Sequence, residues 1–103
     1  MPEKKGIIPA VQINQIKKIR RYIVDIKDIL EKCDHTLLRV DCTSDEIRKL
    51  CDQAIKYNGA SVCIPPCHVA GARRYVGDKL TICTVIGFPN GYMTTAAKAY
   101  EAA

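Results

Sequence analysis

Apolar residues recur three and four positions apart along the first part of the chain, between Ile16 and Leu30. Charged residues fill the remaining faces of that pattern, which is typical of an amphipathic helix. Pro9 precedes the pattern and suits a helix start. We therefore predict one helix over residues 10–32, whose isoleucine-rich stripe packs over a sheet or the end of a barrel. The alternatives are a stripe that pairs with a second helix, binds a partner or lies on a membrane surface.

Beyond residue 32, short apolar runs alternate with helical patterns three times. The strands are predicted at 33–38, 60–64 and 79–88, and the helices at 44–57, 68–76 and 96–103, with Thr94 or Thr95 as the cap of the last one. Thr43 and Glu46 form the signature of a capping box, and Gly59 is expected to take the left-handed conformation that ends the same helix. The second and third strands are almost wholly apolar, which predicts burial on both faces.

This alternation predicts parallel strands joined by right-handed crossovers. Residues 33–103 are therefore expected to form an α/β unit that follows a helical segment over residues 1–32. At 103 residues the chain is much shorter than the roughly 250 residues of a typical (β/α)₈ barrel.

Composition places the chain among globular proteins, with 48% apolar and 26% charged residues. No apolar run reaches the roughly 18 residues of a membrane span, and no apolar segment follows Lys4 and Lys5 as in a secretory signal. We therefore expect a cytoplasmic protein without membrane contact.

The net charge of +5 is concentrated before residue 33, where eight Lys and Arg face four Asp and Glu. A solvated helix face explains this excess. Contact with nucleic acid is the alternative, but no nucleic-acid-binding motif accompanies the charge.

The chain contains six cysteines, which we expect to be reduced because several lie inside apolar patterns. The spacing of Cys63, Cys67 and His68, together with Cys33, raises the alternative of a zinc site. Structural zinc sites usually show two separate clusters of paired ligands, and only one is present here. We predict no metal and no cofactor. No accompanying pattern supports Cys63 as a nucleophile.

Three stretches of the chain together resemble one enzyme family. The stretches are Asp34-His35-Thr36-Leu37-Leu38 followed by Thr43 and its capped helix; Gly59 to Ile64 followed by Pro66 and Cys67; and Cys83 to Pro89 followed by Gly91, Thr94 and Thr95. In this order and spacing they resemble the first three strand-helix units of the deoxyribose-phosphate aldolases, over about residues 29–103. The resemblance implies a partial (β/α)₈ barrel with an N-terminal helix and about three parallel strand-helix units.

The resemblance also implies a function. The family cleaves the phosphosugar 2-deoxy-D-ribose 5-phosphate reversibly to acetaldehyde and D-glyceraldehyde 3-phosphate, through a lysine Schiff base and without metal. Asp34 matches a catalytic aspartate of the polar and proton-relay network, while Thr36 and Cys63 match substrate-binding positions. Independently, barrel enzymes place their chemistry at the carboxyl ends of the strands, where these three residues are predicted.

The Schiff-base lysine of the family lies in a Lys-Thr-Ser context on a later strand, and none of the ten lysines here has that context. The resemblance therefore implies a truncated barrel, and we expect the 103-residue chain alone to be inactive. The third strand would be an open edge, so a complementary chain with the missing strands or a homo-oligomer is expected. The alternative is a non-enzymatic remnant that self-associates or binds a partner.

Overall fold

The computed structural model describes residues 25–103. In chain order the elements are α1 (Ile26–Leu30), β1 (Asp34–Thr36), α2 (Ser44–Lys56), β2 (Ser61–Ile64), a 3₁₀ helix (Pro66–His68), α3 (Val69–Val76), β3 (Thr81–Thr84) and α4 (Thr95–Ala102). Most of the helix predicted over residues 10–32 lies outside the described residues. In the described part, the prediction of one continuous helix is wrong at Asp25, which has an extended backbone (φ −71°, ψ 142°) and is the N-cap of the separate helix α1. Helix α1 ends at Leu30, two residues earlier than predicted. In the described part of the chain, no helix is long and apolar enough to span a membrane.

The three strands form one parallel sheet in the order β1-β2-β3. Asp34 of β1 pairs with Ser61 of β2, and Cys63 of β2 pairs with Cys83 of β3. Helix α2 packs on β1 and β2, helix α3 packs on β3, and the two helices contact each other, so both lie on the same face of the sheet. Sequential parallel strands with their helices on one face are the arrangement of a (β/α)₈ barrel, because a doubly wound sheet places helices on both faces.

The core lies between the helices and one face of the sheet. Val62 and Ile64 of β2 are 0% exposed, and they meet the apolar sides of α2 and α3. The complete set of buried apolar residues is Ile47, Leu50, Cys51, Ala54, Val62, Ile64, Ala72, Val76 and Leu80. The members on α2 recur three and four positions apart, so the helical periodicity seen in the sequence is the reason that this helix packs on the sheet.

Strands β1 and β3 are shorter than predicted, because the central strand limits them. β2 is only four residues long and is followed by Pro65 and Pro66, which cannot extend a ladder. Each neighbour can pair only along that length, so the apolar residues Val85 and Ile86 fall outside β3. The prediction that β3 is buried on both faces is wrong for the described residues, because its residues are exposed or half-buried and it lies at an edge of the sheet.

Hydroxyl side chains cap two helices as the sequence predicts. The Thr43 hydroxyl accepts a hydrogen bond from the Glu46 backbone N–H at 3.3 Å, and the Glu46 carboxylate accepts one from the Thr43 N–H at 2.9 Å. These two bonds complete the capping box of α2. For α4 the cap is Thr94, whose hydroxyl accepts from the Ala97 N–H at 3.2 Å.

The end of α2 corrects one prediction. Asn58, not Gly59, takes the left-handed conformation, with φ of 54°. The Asn58 N–H donates to the Ile55 carbonyl at 3.2 Å, and the Gly59 N–H donates to the Ala54 carbonyl at 2.8 Å, which is the bond pattern of a Schellman motif. Asparagine tolerates this conformation better than most residues, so glycine is not required at the turn.

Candidate functional site

The sheet has one face that the helices α2 and α3 leave uncovered. Because side chains alternate along a strand and paired residues on parallel strands point the same way, the register assigns six side chains to this face. We call it the open face, and its residues are Asp34, Thr36, Ser61, Cys63, Thr81 and Cys83. All but Ser61 are exposed or half-buried. The three residues that the sequence assigned to the site therefore lie together on one surface.

Asp34 is held in place by the neighbouring strand. The Ser61 hydroxyl donates a hydrogen bond of 2.5 Å to Oδ1 of Asp34, at the short end of the range for charge-assisted O–H···O⁻ bonds. Ser61 is 3% exposed, whereas Asp34 is exposed. Among the described residues, Oδ2 of Asp34 has no protein partner. The carboxylate is thus fixed on one oxygen and free to contact solvent or a ligand with the other.

Thr36 and Cys63 are register partners beside this pair. The Thr36 hydroxyl donates to the backbone carbonyl of Asp34 at 2.8 Å. The pKa of the Cys63 thiol is raised, first by burial and then by the charges of Cys83 and Asp34. A thiol with a raised pKa is mostly protonated at neutral pH and is a poor nucleophile. Cys63 is therefore suited to contact or donate to a ligand and not to attack one.

His35 lies on the opposite face from Asp34, as alternation along the strand predicts. Its Nε2 is 2.8 Å from Oε1 of Gln53 on α2. Both His35 and Asp34 reach a cavity of about 520 Å³ at the free edge of β1, whose lining is mainly apolar. His35 is thus engaged with the helix layer, and Asp34 contacts both the open face and this edge.

A second cavity, of about 160 Å³, lies at the carboxyl ends of the three strands. Its lining comes from the segments after all three strands and from α4, and comprises Leu38, Arg39, Val40, Cys42, Pro65, Pro66, Cys67, His68, Val85, Phe88 and Glu101. Asp34, Thr36 and Cys63 do not line it. The residues predicted for the site therefore lie on the open face and not in this cavity.

Helix α4 fixes the turn that follows β3. The Glu101 carboxylate accepts a hydrogen bond of 2.8 Å from the Gly87 N–H, and Nζ of Lys98 donates to the Gly91 carbonyl at 3.2 Å. Gly87 has φ of +63°, which favours glycine. Lys98 and Glu101 were not among the residues predicted for the site. Their spacing of three residues on a short helix directly after a glycine-rich turn is the signal that points to them.

Ser61 and Cys83 also lie on the open face although neither was predicted as a site residue. Ser61 lies two positions before Cys63, so the period of two along a strand places both on one face. Cys83 required the register between β2 and β3, which the sequence does not specify.

The alternative of a zinc site finds no support in the described residues. Cys33 lines the cavity at the edge of β1, whereas Cys67 and His68 line the cavity at the carboxyl ends. Across residues 25–103, no three Cys, His, Asp or Glu side chains come close enough together to hold a metal ion.

No family model matches the chain. Over 78 residues, which are 76% of its length, the chain is 55% identical to the deoxyribose-phosphate aldolases of Streptococcus pyogenes serotype M5 (strain Manfredo) and serotype M3 (strain SSI-1). The match covers 35% of each relative. The chain therefore spans about a third of the length of the curated relatives it matches.

Solved structures agree with the sequence match. A Coccidioides immitis protein assigned as a deoxyribose-phosphate aldolase superposes with a TM-score of 0.72 at 26% identity, over 92% of this chain and 43% of its own. The deoxyribose phosphate aldolase of Aeropyrum pernix, described as tetrameric, superposes with a TM-score of 0.68 at 28% identity, over 92% and 40%. The predicted fold class, part of a (β/α)₈ barrel, is confirmed. The chain is thus a relative of the deoxyribose-phosphate aldolases in both sequence and fold, over about a third of the length of its curated relatives.

Proposed function

We propose that this chain supplies part of the substrate site of a class I deoxyribose-phosphate aldolase, which cleaves 2-deoxy-D-ribose 5-phosphate to D-glyceraldehyde 3-phosphate and acetaldehyde. The observation that carries the proposal is the pairing on the open face of the Asp34 carboxylate with the buried Ser61 hydroxyl, with Cys63 beside them. The sequence match to aldolases extends over 76% of the chain. The free cysteines in the described residues suit the reducing cytoplasm, where we place the protein.

Each of the three residues has a role that its surroundings support. Asp34 relays protons, because its carboxylate is anchored by one oxygen and open at the other. Cys63 contacts the hydroxyl groups of the substrate as a neutral thiol, in line with its raised pKa. Thr36 follows Asp34 on the same face of β1, pairs with Cys63, and contacts the substrate beside that residue.

The Schiff-base lysine comes from outside these 103 residues. A lysine that attacks a carbonyl needs burial or a nearby cation to lower its pKa. None of the three described strands contains a lysine. Of the lysines in residues 25–103, Lys98 is engaged with the turn after β3 and the others are exposed, namely Lys27, Lys32, Lys49, Lys56 and Lys79. We therefore infer that the 103-residue polypeptide alone does not turn over the substrate, and that a polypeptide carrying further strands and the lysine completes the site.

Complementation tests this proposal. The 103-residue chain is mixed with a polypeptide that comprises the part of a Streptococcus pyogenes aldolase outside the match, and cleavage of 2-deoxyribose 5-phosphate is measured. We expect activity in the mixture and none in either polypeptide alone. Asp34→Asn should abolish the activity. The matched control is His35→Gln, which changes the adjacent residue on the opposite face and should leave most of it.

The possible outcomes separate the parts of the proposal. Turnover by the 103-residue chain alone would show that one of its own lysines does the chemistry. Full activity of Asp34→Asn in an active mixture would remove Asp34 from the mechanism and leave the assignment to the family intact.

A second candidate function is self-association without catalysis. It is favoured by the exposed apolar side chains after β3, where Ile86 is 47% and Phe88 is 51% exposed, and by the position of β1 and β3 at the two edges of the sheet. Sedimentation velocity of the purified chain tests it. A defined oligomer that Phe88→Ser dissociates supports this candidate, whereas a monomer across the accessible concentration range argues against it.

A further inference from the structure

Two thiols lie side by side on the open face. Cys63 and Cys83 are register partners on the parallel strands β2 and β3, so their side chains leave the sheet on the same face. Both are free and half-buried. The charge of Cys83 contributes to the raised pKa of the Cys63 thiol, which agrees with close approach of the two groups.

The spacing of the strands decides how two such thiols can be linked. Neighbouring strands lie about 4.8 Å apart, and in-register side chains leave them nearly parallel. A disulfide needs Cβ atoms about 3.5–4.5 Å apart, so a direct sulfur–sulfur bond would require the strands to move together. A soft ion bound to both sulfurs, with bonds of about 2.3 Å as for zinc and sulfur, bridges thiols up to about 4 Å apart. The geometry therefore favours a bridged pair over a disulfide.

We infer that Cys63 and Cys83 form a two-thiol site for a soft, thiol-seeking ion, of the class represented by trivalent arsenic. Thiolate is the ligand type that such ions prefer. The small neighbours Ser61 and Thr81, two residues before each cysteine on the same face, leave room above the sheet. This inference does not rest on the proposed aldolase function, because it needs only the register of β2 and β3.

The remaining cysteines provide an internal comparison. Cys51 is buried in the helix layer, and Cys33 lies at the free edge of β1. Cys42 and Cys67 both line the cavity at the carboxyl ends of the strands. Cys42 lies in a loop and Cys67 in the 3₁₀ helix, so no strand pairing holds their side chains parallel. Because they line one cavity, this second pair is the strictest control for the specificity of the Cys63–Cys83 site.

Phenylarsine oxide is the probe, because it binds two neighbouring thiols stably and single thiols only weakly. Two arsenic–sulfur bonds form, the two thiol protons leave with the arsenic-bound oxygen as water, and no atom changes oxidation state. The reduced 103-residue chain is treated under native conditions. Excess monothiol is then added, the remaining free thiols are alkylated with N-ethylmaleimide, and the intact mass and peptide map are recorded.

We expect one phenylarsenic group per chain that survives the monothiol and is released by dithiothreitol, with Cys63 and Cys83 as the two thiols protected from alkylation. Cys63→Ser and Cys83→Ser should each abolish the resistant adduct, whereas Cys42→Ser and Cys67→Ser should retain it. Circular dichroism confirms that each variant is folded, and the peptide map of the unmutated chain assigns the pair independently of any variant.

Several outcomes would overturn the inference. They are the absence of a resistant adduct on the folded chain, protection of Cys42 and Cys67 in place of the strand pair, and a resistant adduct that persists in Cys83→Ser. A control in denaturant, where the register is lost, should show no preference for the pair.

Discussion

The two ends of the hydrogen bond between Ser61 and Asp34 differ in burial, and this difference predicts which substitution costs more stability. The hydroxyl is buried and the carboxylate is exposed. A bond to a charged group contributes about 1.5–3 kcal/mol, and a buried polar group without a partner costs about 1–3 kcal/mol. The free-energy cost of losing the bond therefore depends on whether the buried hydroxyl or the exposed carboxylate is left without a partner.

Asp34→Ala should destabilise the chain by about 2–3 kcal/mol, because it leaves the Ser61 hydroxyl buried without an acceptor. Ser61→Ala removes the same bond but leaves a carboxylate that water can solvate, so we expect a cost of about 1 kcal/mol. Asp34→Asn keeps an acceptor oxygen and loses only the charge, and should also cost about 1 kcal/mol.

Urea unfolding of the 103-residue chain, followed by circular dichroism, measures the three free energies of unfolding. The slope against urea should be the same in all variants, so that differences in midpoint report stability. The reasoning is refuted if Ser61→Ala costs more than Asp34→Ala, or if Asp34→Ala leaves the midpoint unchanged. The series also supports the functional test, since Asp34→Asn can report on catalysis only if it folds.

Three further predictions concern the scaffold. Asn58→Ala should cost about 1 kcal/mol, because alanine tolerates the left-handed conformation poorly. Gly59→Ala should be tolerated, since an added Cβ meets its nearest neighbours at 3.6 Å. The urea midpoints of Asn58→Ala and Gly59→Ala test both predictions, and equal costs would contradict the Schellman motif. The pKa of Glu46 is lowered in the folded chain, first by the hydrogen bond from Thr43. The ionised Glu46 carboxylate therefore stabilises the fold at pH values above the pKa of an unfolded glutamate, and this contribution disappears as the pH falls through the pKa of Glu46 in the folded chain. Glu46→Gln should flatten the acid side of a plot of stability against pH, and an unchanged slope would refute this. Ile64→Ala should cost about 2–5 kcal/mol by thermal or urea unfolding, because Ile64 is 0% exposed, and a cost below about 1 kcal/mol would show that the sheet does not pack as described.

Features that depend on neighbouring residues in the chain were predictable from the sequence. The capping box of α2 needs only Thr43, Glu46 and the turn between them, and it formed as expected. The helix that follows buries Ile47, Leu50, Cys51 and Ala54, as the spacing of its apolar residues indicated, whereas Ile55 of the same pattern is 38% exposed. Strand lengths were not predictable in this way, because they depend on the partner. The apolar run through Val85 and Ile86 has strand propensity, but β2 ends at Ile64 and leaves it nothing to pair with.

In the candidate site, too, local features were predictable from the sequence and contacts between strands were not. The resemblance singled out Asp34, Thr36 and Cys63, and the alternation along each strand is enough to place Asp34 and Thr36 on one face. The contact that anchors Asp34 joins it to Ser61, which is 27 residues away, and this pairing exists only once the register of the two strands is known. Likewise, the left-handed residue at the end of α2 was predicted at Gly59 and is Asn58, because either of these adjacent residues can adopt that conformation.

The two faces of the sheet carry different kinds of side chain, and this difference indicates what covers the open one. The helix-covered face presents the apolar residues Val62, Ile64 and Ile82 together with His35 and Thr84, whereas the open face presents Asp34, Ser61, Cys63 and other small polar groups. A second helix layer would need apolar residues on both faces, as in a doubly wound sheet. A barrel instead turns this face towards its own interior, where polar residues near the carboxyl ends of the strands form the reaction site. Thr36, Cys63 and Cys83 lie at or next to the carboxyl ends of their strands and suit that end of a barrel interior, whereas Asp34, Ser61 and Thr81 begin their strands.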